Sequence, residues 1–79
     1  MAKDTIKLMI NLVSADVVSA IMEETSVSLQ DAMRAFYNSD VFDRLCDPET
    51  ELYRESGGYV YALYKELSNL TAQIKSAHN

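Results

Sequence analysis

The chain reads as an all-α protein: a small helical bundle in which two long helices, at about residues 3–24 and 58–76, bracket two or three short ones. Three observations predict this. Apolar residues recur at alternating spacings of three and four near both ends of the sequence, the period of a helix and not of a strand. Only two glycines and one proline are present, too few for the many tight turns of a small β-barrel. A hydrophobic fraction of 48 % beside 24 % charged residues is that of a folded chain rather than a disordered one.

The 79 residues make one domain, 1–79. A domain this small buries only about 60 % of its unfolded surface, so its core is thin. Self-association is a physical route to hiding more apolar area.

In the first helix, Ile6, Met9, Ile10, Val13, Val17, Ala20 and Ile21 form one stripe. Leu8, Leu12, Ala15, Val18 and Met22 form a second stripe beside it, leaving Lys3, Lys7, Asn11 and Ser14 for the polar side. So wide an apolar face exceeds what one partner helix covers. Two readings stand: a central helix wrapped by the others, or a helix that meets another chain with part of its surface.

Ser28, with Asp31 three residues on, predicts an N-cap for a second helix that runs to about Tyr37 and buries Leu29, Ala32, Met33 and Phe36. Asn38 and Ser39 halt it. Ser39 or Asp40 then caps a short third helix carrying Val41, Phe42, Leu45 and Cys46. Asp47-Pro48 starts a further turn or two, favoured by Glu49 and Glu51 near its positive end. Gly57-Gly58 marks a break. The last helix presents Val60, Leu63, Leu67, Leu70 and Ile74, a narrower stripe than that of the first. Tyr64 flanks that stripe, whereas Tyr59 and Tyr61 point away from it and are expected to differ in exposure.

Seven Lys plus Arg against twelve Asp plus Glu give a net charge of −5. Nine of the acids and only three bases lie between Glu23 and Glu55. Phosphate backbones and anionic lipid are held by Lys and Arg, so this balance disfavours nucleic acid and membrane as partners and favours protein. No apolar run approaches the ~18 residues of a membrane span, since Asp4 and Lys7 interrupt the first one. One cysteine permits no intrachain disulfide, and a reducing cytoplasm is the expected compartment.

Catalytic material is sparse. His78 is the lone histidine and stands next to the C-terminus. Cys46 sits beside Asp43 and Asp47, whose charges oppose a thiolate, and is expected to be a buried structural thiol. The acids Asp40, Asp43, Asp47, Glu49 and Glu51 lack the spacing and glycine of a calcium loop, so capping and solvation account for them and no metal or cofactor is expected. Residues 22–36 have the rhythm of a helix-turn-helix, which makes a DNA-binding transcription regulator the alternative reading. Gln30 and Arg34 would then contact bases, and Lys65 and Lys75 phosphates. Against it, Asp31 offsets Arg34, and Glu23 and Glu24 precede the turn.

Both glycines, the proline, the cysteine and all five tyrosines lie between Tyr37 and Tyr64. Tyrosine combines apolar area with a hydroxyl and is favoured at protein interfaces, though it also fills cores. Tyr53, Tyr59, Tyr61 and Tyr64, together with Leu8 and Leu12, are therefore the candidate interface residues.

The run Tyr37-Asn38-Ser39, Glu49-Thr50, Leu52-Tyr53, Ser56, Tyr59-Val60-Tyr61, Leu63-Tyr64 and Glu66 resembles a family of short uncharacterised bacterial proteins. Their pattern is "YNS", then "ET-LY", then a closing "S--YVY-LY-E" helix. The resemblance covers about residues 15–67. It implies a cytoplasmic bacterial protein, a small helical fold and a role beside another gene product; some such families are similar in size and charge to antitoxins. Gly57 and Gly58 depart from the pattern, where a more rigid residue is expected, and a looser start to the last helix follows. The sequence thus favours a non-catalytic protein–protein interaction module, self-associating or antitoxin-like.

Overall fold

The computed structural model describes residues 3–77, with side chains described through Ser68. Four α-helices run in the order α1 (Lys3–Thr25), α2 (Leu29–Tyr37), α3 (Asp40–Cys46) and α4 (Gly57–Ala77). Two 3₁₀ turns, Pro48–Thr50 and Leu52–Arg54, connect α3 to α4. Among the described residues there is no strand. His78 lies outside the described residues, and the side chains of Leu70, Ile74 and Lys75 lie outside the described side chains.

Local chemistry sets the element boundaries. The Asp31 amide donates to Ser28 Oγ at 3.2 Å, which caps α2, and the Phe42 amide donates to Ser39 Oγ at 3.2 Å, which caps α3. Ser39 also closes α2, because its hydroxyl donates to the Phe36 carbonyl at 2.6 Å. One serine therefore serves two helix ends, and the joint between them is tight. Asp47 accepts from the Glu49 amide at 3.0 Å and starts the first 3₁₀ turn with Pro48 behind it. The Tyr59 amide donates to Ser56 Oγ at 3.1 Å and caps α4.

The core gathers one face from every element. Val13, Val17, Val18 and Ile21 of α1 meet Ala32 and Phe36 of α2, Val41 and Leu45 of α3, Leu52 and Tyr53 of the second 3₁₀ turn, and Val60 and Tyr61 of α4. Phe36, Leu45, Val17 and Val60 are fully enclosed. The Phe36 ring sits edge-on to Phe42 at 5.5 Å and to Tyr64 at 6.1 Å, which ties α2 to α3 and α4.

Several expectations are corrected here. Ser14, assigned to the polar side of α1, is 2 % exposed, and its hydroxyl has no hydrogen-bond partner. Ala15, assigned to an apolar stripe, faces solvent. Both shifts have one cause: the other elements pack on the side of α1 that holds Val13, Ser14, Val17 and Ile21, and leave the opposite side open. Leu29 and Met33 were expected in the core, yet α2 buries only Ala32 and Phe36, a stripe too narrow to include them. Cys46 is exposed rather than buried, at the last position of α3.

The start of α4 is not loose. Gly57 is buried against α1, and a Cβ placed there would overlap Asp16 Cβ and stand 2.8 Å from its carboxylate. Neither glycine has a positive φ, so close approach of two helices is what requires this one. Finally, α1 is long and apolar enough to cross a membrane by length and composition, with a mean hydropathy of 1.5. Only Lys7 and Asp16 are charged between Thr5 and Met22, so Asp4 and Lys7 do not shorten the run as expected. Its C-terminal half nevertheless supplies the largest share of the core.

Candidate interaction surface

The sharpest departure from an ordinary soluble domain is the outer side of α1. A helix that is apolar all round is normally buried all round. Here Leu8 is 57 % and Leu12 59 % exposed, while Ile6, Met9 and Ile10 are half-buried. Exposed Ala15 and Ser19 and half-buried Met22 continue the line. Leu8, Leu12, Ala15, Ser19 and Met22 are spaced four, three, four and three, the seam that a second helix fits. Within this seam two large residues are followed by two small ones.

A second apolar stripe lies on α2. Leu29, Met33 and Tyr37, each one turn from the next, are 53 %, 38 % and 40 % exposed. They flank the buried pair Ala32 and Phe36. Helical spacing predicts Leu29 and Met33 in the core, and Tyr37 is not among the candidate interface residues. The signal that would have found the stripe is the i, i+4, i+8 spacing on a helix too short to bury two stripes.

The tyrosines divide. Tyr53 and Tyr61 are buried core residues, which removes them from the interface set. Tyr64 is half-buried and stacks on Tyr61 with ring centres 6.2 Å apart. Tyr59 is 54 % exposed, so the expected contrast with Tyr61 is present, with Tyr61 on the inner side. The Tyr61 phenol meets Glu24 of α1. Burial first, then the Glu24 carboxylate as acceptor and charge, then Tyr64, push its pKa up. Lys65 Nζ stands 3.4 Å from Glu24 Oε2 and 4.7 Å from the Tyr61 ring centre, so this corner fastens α4 to the end of α1.

Gln30 and Arg34 are exposed on α2, and Arg34 Nη1 lies 3.7 Å from Asp31 Oδ1. The outer face of the would-be reading helix is thus a neutral pair beside an apolar stripe.

Chemistry has few handles among the described residues. No three His, Cys, Asp or Glu side chains gather where a metal ion would fit. A half-open groove of about 300 Å³ between the α2–α3 joint and α4 is lined by Asn38, Ser39, Asp40, Tyr64 and Ser68, with no nucleophile–base pair among them. Partial desolvation of this otherwise exposed residue first and the Asp43 charge second push the Cys46 thiol up, the wrong direction for a nucleophile. No protein family, no curated protein and no solved structure matches the chain.

Proposed function

We propose that this chain is a small, non-catalytic, cytoplasmic interaction module that uses the outer seam of α1 to associate, first of all with a second copy of itself. The observation that carries the reading is the pair Leu8 and Leu12, more than half exposed on the back of a helix whose other side builds the core. Burying each would stabilise an assembly by about 1–2 kcal/mol. The seam favours self-pairing because it is complementary to its own reverse. In an antiparallel pair, Leu8 and Leu12 of one copy lie over Ser19 and Ala15 of the other, large residues against small.

In this reading the molecule acts beside another gene product, in the manner of an antitoxin or accessory subunit. Its small size and net charge of −5 are what that role rests on. A protein partner is favoured over DNA by the neutral Asp31–Arg34 pair on α2 and by the net charge of −5.

Sedimentation equilibrium over a wide concentration range tests the proposal. The natural chain is expected to form a dimer, and Leu8→Gln with Leu12→Gln to shift it to monomer without loss of helix content. A strict monomer at the highest concentration overturns the self-association, and an unchanged dimer in the double variant moves it away from α1.

A further inference from the structure

The exposed stripe on α2 does not stop at the end of that helix. The Tyr37 ring meets the Phe42 ring of α3 edge-on, centres 4.8 Å apart, and exposed Cys46 follows Phe42 by one helical turn. An apolar strip thus runs along α2 from Leu29 through Met33 and Tyr37 onto α3 at Phe42 and Cys46. Its α3 end is strongly acidic. Five acids and one base lie between Asp40 and Glu51, and the Asp43 charge reaches the Cys46 thiol. Arg54 lies beside Glu51, one of the five, and Arg34 lies beside Asp31 outside the cluster, which leaves Asp40, Asp43, Asp47 and Glu49 against Arg44.

We infer that this strip docks a basic amphipathic helix of a protein partner, whose apolar residues cover Leu29, Met33 and Tyr37 while its Lys or Arg residues meet the acids around Asp43. The charge selects this occupant. A second copy of the chain brings the same net charge of −5, and its Arg34 and Arg54 already lie beside Asp31 and Glu51, so it complements the acids poorly; nucleic acid or an anionic membrane would be repelled. An apolar helix lacking basic residues would leave the acidic end without complement. The mode is helix-on-face recognition, in which two or three anchors one turn apart supply most of the affinity and the charges supply orientation and rate. The inference deepens the interaction reading but uses a different face from the α1 seam, so the two stand or fall separately.

The test titrates the full chain with a labelled synthetic peptide of about 18 leucines and lysines, the leucines at helical spacing, and follows anisotropy. A scrambled peptide of the same composition and a leucine–glutamate counterpart serve as controls. Binding is expected for the basic amphipathic peptide alone, weakened by added salt. Leu29→Ser with Met33→Ser is expected to weaken it about tenfold or more, and Leu8→Gln with Leu12→Gln to leave it unchanged. Because Leu29 and Met33 are exposed, helix content by circular dichroism should be kept in both variants. Equal binding of the scrambled or acidic peptide, or no binding at all, overturns the inference. Loss of binding in the Leu8 and Leu12 variant also overturns it, while leaving the α1 interaction reading intact. If the Leu29 and Met33 variant instead abolishes dimerisation, the occupant is a second copy and the inference fails.

Discussion

Gly57 at the start of α4 lies so close to Asp16 of α1 that a methyl group on Gly57 would overlap the Asp16 Cβ. This contact sets the spacing of the two long helices where they meet, and its nearest atom is the Asp16 Cβ, which no rotation of the side chain can move away. Gly57→Ala is therefore expected to destabilise the fold by about 1–3 kcal/mol in urea unfolding, as overpacking does. Gly58→Ala is the control. The nearest atom to a Cβ there is Ser56 Oγ at 3.9 Å, and φ is negative, so alanine is expected to stabilise by about 0.4–1 kcal/mol. Asp16→Ala keeps the offending Cβ and should not rescue Gly57→Ala. Equal effects of the two glycine substitutions would show that the helices are free to separate at this point.

Ser14 carries a buried hydroxyl with no hydrogen-bond partner, an arrangement that costs free energy and gives nothing back within the chain. Ser14→Ala removes the unpaired group and improves helix propensity. We expect a gain of about 1 kcal/mol, read from the midpoint of chemical unfolding. A loss of similar size would show that the hydroxyl is paired in solution.

Tyr61 gives the fold a defined weakness in alkali. Its pKa is raised above the ordinary 10.0, so the folded state holds the phenolic proton more tightly than the unfolded state does. Stability from this group is complete below pH 10.0 and is lost as pH rises through the folded pKa. Cys46, raised above its ordinary 9.0, acts in the same direction and begins lower. The unfolding midpoint should fall with rising pH in that window, and Tyr61→Phe should flatten the part above pH 10.0. An unchanged slope in Tyr61→Phe would assign the alkaline loss to other groups.

Local features of this fold were legible in the sequence, and non-local ones were not. Ser28, Ser39 and Asp47 act as caps because a cap needs only a side-chain oxygen and an amide two or three residues away. The helical spacing of α1 and α4 was equally local. Which side of α1 faces the core was not, because its apolar face is wider than the core needs and only the docking of α2 and α4 decides between Val13 and Leu12. The same holds for Tyr61 against Tyr59, and for Gly57, whose glycine is demanded by a residue 41 positions away on another helix. Composition and charge make an interaction surface the expected function. The face that remains uncovered could be read only once the core was assembled.

Exposure also predicts that association and folding draw on different leucines. Leu45 is completely enclosed in the core, and Leu45→Ala is expected to cost about 2–5 kcal/mol through lost transfer energy and the cavity left behind. Leu8 and Leu12 retain more than half of their exposure, so Leu8→Gln and Leu12→Gln should each change the stability of the monomer by less than about 0.5 kcal/mol. In a dimerising chain the same two substitutions lower the apparent stability in a concentration-dependent way, because an oligomer adds its association energy to the folding equilibrium. Urea unfolding at two protein concentrations separates the terms. The midpoint of the natural chain should rise with concentration, that of the Leu8 and Leu12 variants should not, and all three should converge at high dilution. Convergence with a large residual deficit in the variants would mean that Leu8 and Leu12 pack within their own chain, and the outer seam of α1 would lose its role as a surface for another molecule.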